Sequence, residues 1–461
     1  MIGGTFGGPM TTVTVYGGAG QIGGNKILIE DRGTRVWFDF GEPFHMKDKY
    51  FVNFLMPRDR FGLRDYLHFD LLPRIEGLYD PEWLEGTDLK HVPPAFDAIF
   101  VSHMHFDHAM HLKYADSDIP VYLGAAADAI RQSWEVTGSR AEFGEHEFRR
   151  FRTGDKVKVA GLEVEPVHVD HSTPGAYGFL IHTSAGCIAY SGDLRLHGPR
   201  SDMTEEFVAR AAKENPIALI CEGTRVSDND TREGLSEKDV ERRAKDLISK
   251  NKGLAIVSFY PRDVDRMRTF RDVAKATGRK FVVSAKVAHL LETLQGDSRI
   301  SVPNPMKDPD MLVYVRKMKR PEKVKYELNY INMLGKSDHV VDSDHVRDHQ
   351  AELVFHTDFN QLTELIDIRP VRGSLFIRSK SEPFEEDDVE EEVLNNWLDW
   401  FKLDFHQVHA SGHASMEEIF SIVKRIAPKV VIPVHTEHPE LFSRAARAVR
   451  CPEARKCMEI A

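Results

Sequence analysis

The chain has 461 residues, 41% of them hydrophobic and 29% charged, with a formal net charge of −11. That length allows two or three domains with sizeable cores, and no apolar run approaches the roughly 18 to 20 residues needed to span a membrane. The negative balance argues against broad non-specific affinity for nucleic acid. The four cysteines form no Cys-x-x-Cys pair, which argues against a disulfide framework or zinc ribbon and for reduced thiols in the cytoplasm.

Residues 1–10 lack the basic and apolar regions of a signal peptide and read as a leader. Residues 11–16 alternate like a strand and run into Gly17-Gly-Ala-Gly-Gln-Ile-Gly-Gly24. Gly18, Gly20 and Gly23 spell a dinucleotide fingerprint, with Asp39 at a fitting distance. That fingerprint needs a helix opening at its last glycine. Residues 25–30 alternate again and 34–39 form a third strand, so the stretch is predicted to be a glycine-rich hairpin. Asp39, at a strand end, is either a turn residue or a carboxylate that orients metal ligands. Residues 42–95 show no clean periodicity and read as an elaborated loop over the site.

The run Val101-Ser-His-Met-His-Phe-Asp-His-Ala109 follows the buried strand 96–101. His103, His105, Asp107 and His108 therefore crowd one strand end. Such a cluster carries large desolvation and like-charge costs, and a divalent cation removes them because neutral imidazole and carboxylate are its natural ligands. Residues 111–118 and 121–124 read as helix then strand, a βαβ unit. His171 lies just past the strand 162–169, beside a Pro-Gly turn, and is preferred over His168 inside the alternation. Asp193 closes the strand that begins at Cys187, and its two oxygens suit a bridge between metals ~3.5 to 4 Å apart. Glu222 closes the next buried strand.

From residue 237 the rhythm changes to helix 237–250, strand 253–259, helix 264–277 and strand 279–284, which predicts a parallel sheet in a separate α/β unit. Two charged stretches stand out there. Residues 316–320 with Lys323 and Lys325 are basic, suited to a phosphate backbone or to a solvated helix face, and 382–392 are acidic. Near the end, Ser411, Gly412, Ala414 and Ser415 flank His413 in a turn that opens the helix 416–426. Such a turn offers backbone N–H groups to a phosphate. The strand 429–434 then delivers His435.

These residues in this order resemble the metallo-β-lactamase superfamily, its β-CASP branch, and within that the ribonuclease J-like nucleases. Asp39, His103-x-His105-x-Asp107-His108, His171 and Asp193 match the superfamily's ordered metal motifs. Glu222, His413 and His435 match the extra β-CASP motifs. Ile22-Gly-Gly-Asn25, Phe259-Tyr-Pro-Arg262 and Val264-Asp-Arg-Met267 add to the likeness. Thr436-Glu437 departs from the Gly-Glu usual in ribonuclease J proteins.

The resemblance implies an α/β chain. A metallo-β-lactamase αββα sandwich (1–225, returning at 401–461) would hold an inserted α/β β-CASP domain (226–400). It implies two zinc ions, with manganese as the other candidate metal. His103, His105, His171 and Asp193 would hold one, and Asp107, His108, Asp193 and His435 the other. Asp107 would take the nucleophile's proton, His413 would face the scissile phosphate, and Glu222 would orient His413. The implied activity is hydrolysis of single-stranded RNA, exonucleolytic from the 5′ end, endonucleolytic, or both. It would act in the cytoplasm without a membrane, with a homodimer as the candidate assembly. A DNA-acting β-CASP nuclease and a lactonase- or thioesterase-type hydrolase are the alternatives. The size of the inserted segment counts against the latter.

Overall fold

Strands Thr11–Gly17 and Lys26–Asp31 pair antiparallel, Val13 opposite Ile29 and Val15 opposite Ile27. In the computed structural model, which describes residues 10–44, 50–51, 54–138, 141–381 and 389–460, the glycine stretch between them is thus a hairpin connection. The leader 1–9 and residues 382–388 of the acidic run lie outside the described residues. No helix among the described residues is long and apolar enough to cross a membrane.

The hairpin belongs to a seven-stranded sheet in the order Cys457–Ile460, Thr11–Gly17, Lys26–Asp31, Thr34–Phe38, Ala98–Val101, Val121–Gly124, Phe148–Phe151. A second sheet of six runs Val431–Val434, Ala218–Glu222, Gly186–Tyr190, Tyr177–Thr183, Leu162–His168, Val157–Val159. Alternation gives each strand two apolar faces to cover. Val15, Ile29, Phe38 and Phe100 from the first sheet meet Val164, Phe179, Ile188 and Ile220 from the second in one core. The outer face of the second sheet packs on helices Ser201–Glu214 and Met416–Ile426 through Phe207, Val208, Ile419 and Ile422. The outer face of the first takes Ala127 and Ile130 of helix Ala125–Thr137. The result is a helix-sheet-sheet-helix sandwich.

A third sheet is parallel throughout, in the order Val340–Val341, Met311–Tyr314, Lys280–Ser284, Leu353–Thr357, Ala255–Ser258, Leu375–Arg378, Asp404–Gln407. Helices Glu237–Lys250, Val264–Ala276 and Ala285–Gln295 cover one face, and Val389–Phe401 lies on the other. The first of these starts on a capping box, Ser236 accepting from Asp239 N–H while Asp239 accepts from Ser236 N–H. The core beneath these helices is continuous with that outside the first sheet, so the two units share apolar packing.

Two expectations are corrected. The crossover between Ala98–Val101 and Val121–Gly124 is parallel, but its helical turns are Phe106–Ala109 and Met110–Tyr114, not 111–118. The chain turns within the histidine run itself, which aims Asp107 and His108 back at the strand end. In the basic stretch only Lys323 and Lys325 are helical, in Pro321–Lys323 and Lys325–Ile331; residues 316–320 are irregular, with Arg316 bound to Glu327 at 2.7 Å and Lys317 to Asp344 at 2.6 Å. Two of its cations are thereby committed to the fold.

Candidate metal centre

Six strands end on one edge of the sandwich. Thr34–Phe38 and Ala98–Val101 are parallel, as are Gly186–Tyr190, Ala218–Glu222 and Val431–Val434. Leu162–His168 shares their direction through the antiparallel strand between. Their C-terminal ends deliver Asp39, His103, Asp193, Glu222, His435 and His171 to that edge, as open α/β sheets deliver ligand-binding groups.

His105 Nδ1 lies 3.0 Å from both His103 Nε2 and His171 Nε2. Asp193 Oδ2 lies 3.6 Å from the former and 3.9 Å from the latter. Beside this cluster, Asp107 Oδ2 lies 2.8 Å from His435 Nε2 and 3.7 Å from His108 Nε2. Asp193 Oδ2 is also 3.0 Å from His108 Nε2 and 3.7 Å from His435 Nε2. One carboxylate oxygen thus adjoins both groups. Ligand atoms around a tetrahedral zinc at about 2.0–2.1 Å stand ~3.3 Å apart, and these spacings bracket that value.

Outer hydrogen bonds account for the other ring nitrogens. His171 Nδ1–H donates to Gly412 O at 2.6 Å, His108 Nδ1–H to Asp39 at 2.8 Å, and His435 Nδ1–H to Thr224 Oγ1 at 2.8 Å. His103 Nδ1–H donates to Ser102 Oγ at 3.0 Å, whose own proton goes to Asp39 at 2.9 Å. Each ring therefore turns its other nitrogen inward, the arrangement outer hydrogen bonds impose on metal-binding histidines. His108 Nε2 and Asp193 Oδ1 are buried without a hydrogen-bond partner. Burial, with the neighbouring imidazoles, keeps His103 and His171 well below the usual histidine range, and burial with Arg262 brings His105 to about 3 against Asp107 and Asp193. At His435 burial is outweighed by Asp193 and Asp107, which hold it at about 9. Neutral imidazoles on one side and carboxylates calling for positive charge on the other fit a pair of cations.

Asp39 is fully buried and accepts four hydrogen bonds, from Ser102 N–H at 2.7 Å, Ser102 Oγ–H, His108 Nδ1–H and Tyr190 O–H at 2.5 Å. Asp39→Asn keeps the shape but replaces an acceptor oxygen with an amide. Metal affinity is expected to fall about 10- to 100-fold, measured by competition with a chelator.

His413, 21% exposed at its side chain, faces the opening. Its Nδ1 lies 3.2 Å from both oxygens of Glu222, which also accepts from Leu194 N–H and from Thr224 N–H and Oγ–H. Glu222 so fixed holds the Nδ1 proton of His413 and leaves Nε2 to the outside. The preference between the two histidines after residue 160 has a structural counterpart. His168 stacks on Tyr177 with ring centres 4.1 Å apart and stays out of the cluster.

The turn at 411–415 does not present the anion site expected of it. Ala414 N–H donates to Leu194 O at 2.7 Å, Ser415 N–H to Glu418 at 2.9 Å, and His413 N–H to Ser411 Oγ at 3.1 Å. Ser415 is the cap of its helix. Ala414 and Ser415 thus have no free N–H for phosphate: the helix and the second sheet use those donors. What the turn does supply is Gly412 O for His171 and the placement of His413.

Sequence reasoning gave no role to Thr224, Ser102 or Tyr190. Thr224, two residues beyond Glu222, touches Glu222, His413 and His435 with one hydroxyl. The glycine hairpin also closes on the centre. Gly18 O accepts from His435 N–H at 2.8 Å, and a Cβ on Gly23 would stand 3.0 Å from Asp107 Oδ2.

Comparison with known proteins gives this edge a family. Residues 74–235 match the model of a beta-lactamase superfamily domain, and 401–450 that of a Zn-dependent metallo-hydrolase RNA specificity domain. The chain carries a metallo-β-lactamase domain and a β-CASP-type RNA specificity domain. The two matched segments hold all the clustered residues after Asp39. It is similar to ribonuclease J of Sinorhizobium meliloti, 24% identical over 76% of this chain and 59% of that protein. The Helicobacter pylori protein of that name is 23% identical over 95% of this chain and 58% of its own length, and the Thermus thermophilus one 23% over 97% and 73%. The chain thus spans 58–59% of the length of the first curated relatives it matches. A solved structure from Enterococcus faecalis V583, titled a protein of unknown function, aligns with a TM-score of 0.77 at 25% identity, covering 98% of this chain and all of that one.

Proposed function

We propose that this chain is a metal-dependent ribonuclease that hydrolyses phosphodiester bonds of single-stranded RNA, with 5′-to-3′ exonucleolytic action, endonucleolytic action, or both. The observation that carries the reading is the pair of adjoining ligand groups sharing Asp193 Oδ2. The RNA specificity domain and the ribonuclease J relatives support RNA over other esters.

His103, His105 and His171 with Asp193 would hold one zinc ion, and Asp107, His108 and His435 with Asp193 the second. Manganese is the alternative metal. When bound, two such ions supply Lewis acidity and make water a nucleophile at neutral pH. The rest falls to side chains. Asp107 accepts the proton of the attacking water, and His413 in its doubly protonated form, with Nδ1–H held by Glu222, gives its Nε2 proton to the departing oxygen. Thr224 ties Glu222 to His435, so the proton donor and a ligand keep a fixed separation. The unit from 226 to 400, with its edge strand Asp404–Gln407, joins the sandwich next to Glu222 and His413, a position that suits it to roof the centre and exclude duplexes.

The test is end-labelled single-stranded RNA and DNA of one sequence, incubated with protein of measured metal content and sized on a gel. RNA products with 5′-phosphate ends are expected. His413→Ala should lower kcat by about 10²- to 10⁴-fold with metal content retained. Equal digestion of DNA would sink the RNA assignment, and hydrolysis of lactones or thioesters alone would move the chain to the hydrolase reading.

A further inference from the structure

Buried arginines in this fold are saturated with acceptors. Arg266 binds Glu237, Ser379 and Ala410 O, Arg195 binds Asp170, and Arg279 reaches four backbone carbonyls. Arg262 departs from that pattern. Its Nε is buried without a partner, and its guanidinium makes no hydrogen bond or ion pair among the described residues. It lies over the ring of Trp134, 3.7 Å from the centroid. Burial lowers its pKa to about 10, with no carboxylate to oppose that.

Arg262 lines a crevice with Ile130, Trp134, Pro261, Lys286 and Leu290. Lys286 is half-buried and also has no ion pair among the described residues. The crevice lies where helix Ala125–Thr137 of the sandwich meets helix Ala285–Gln295 of the third-sheet unit, joined there by Ser133 and His289 at 2.9 Å. Helix Ala125–Thr137 begins at the end of Val121–Gly124, on the edge that carries the histidines, and a Cβ on Gly175, in the loop of His171, would press on its first turn. The crevice is lined further along that helix, by residues 130–137. The charge on Arg262 reaches His105.

In a protein with a net charge of −11, Arg262 and Lys286 stand side by side without an ion pair; Trp134 stacks on the first and the Asp358 charge acts on the second, but burying two like charges together has no full return inside the fold. An anionic ligand supplies the return. Stacking on Trp134 holds the guanidinium plane, which spares ordering entropy when its N–H groups meet a phosphate. We propose that Arg262 and Lys286 form a phosphate-binding subsite, outside the metal centre, for the single-stranded RNA that the centre cleaves. The identity of the strand rests on the ribonuclease reading; the subsite itself requires a phosphodiester polyanion.

The experiment measures binding, not turnover. The full chain carrying His413→Ala, which spares the strand, is titrated against a fluorescently labelled single-stranded RNA across a salt series. Adding Arg262→Gln should weaken binding about 10-fold and reduce the slope of log K against log salt by ~0.7, the share of one phosphate contact on a single strand. Lys286→Gln should repeat the slope change, and Arg262→Lys should restore most of it. Metal content and the urea midpoint, unchanged in Arg262→Gln, show that the fold is intact. An unchanged slope in both glutamine variants overturns the proposal, even where affinity falls, and so does a parent that binds no single-stranded nucleic acid. A parent that binds strands through these residues, while the native protein cleaves none, defeats the ribonuclease reading and leaves the subsite standing.

Discussion

Asp193→Ala is expected to cost the protein most of its bound metal and all measurable phosphodiester turnover, a loss of at least ~10³-fold, or ~4 kcal/mol in the barrier. Asp193 Oδ2 is within 3.9 Å of a ligand nitrogen on each of His103, His108, His171 and His435. No other side chain among the described residues stands between the two groups in this way. His108 and His435 carry raised pKa values, and Asp193 outranks the other charges that oppose burial at each. With the carboxylate gone, two buried imidazoles lose the charge that draws a cation in, and the other group loses its fourth ligand. Elemental analysis after gentle desalting should fall from near two ions per chain to below one. His413→Ala is the contrast, losing turnover and keeping metal. A fully metallated Asp193→Ala protein would refute the sharing of that oxygen.

The convergence of this cluster was legible because its residues follow strands. His103, His171, Asp193 and His435 each come just after an apolar run, and parallel pairing turns such positions into one edge. What a strand pattern does not carry is the partner across space. Thr224 meets His435 over a separation of 211 residues, and Gly412 O meets His171 over 241. Neither residue type distinguishes that role from an ordinary turn. Ser415 was misread for a related reason. A serine before a helix predicts a cap and an anion site equally, and here Glu418 three residues later completes a capping box that takes the amide. The unpaired state of Arg262 was invisible in sequence, because it is defined by which acceptors stay away.

Arg266→Ala is expected to destabilise the fold by about 3–5 kcal/mol, read from urea unfolding, the largest loss foreseen for a residue outside the centre. Arg266 has no exposed side-chain surface and pairs with Glu237 at 2.7 Å, itself nearly buried. Its Nη1 also reaches Ser379 O and Oγ at 2.6 Å and Nδ1 of His409 at 3.1 Å, and its Nη2 reaches Ala410 O at 3.0 Å. Burial and then the charge of Arg266 keep His409 well below the usual histidine range, so its Nδ1 can accept. Removing the guanidinium leaves the buried carboxylate of Glu237 with Arg195 alone, at 3.5 Å, and with Asp263 and Asp265 nearby already pushed up by burial, Asp263 to about 7. It also frees residues 409–410, which lead into His413. Lysine cannot rescue this, having one donor centre where a fork is needed. Because the loss comes from a buried carboxylate left short of positive charge, Arg266→Met combined with Glu237→Leu should recover much of the stability. A double variant as unstable as Arg266→Ala would assign the loss to the carbonyl contacts of Ser379 and Ala410 instead.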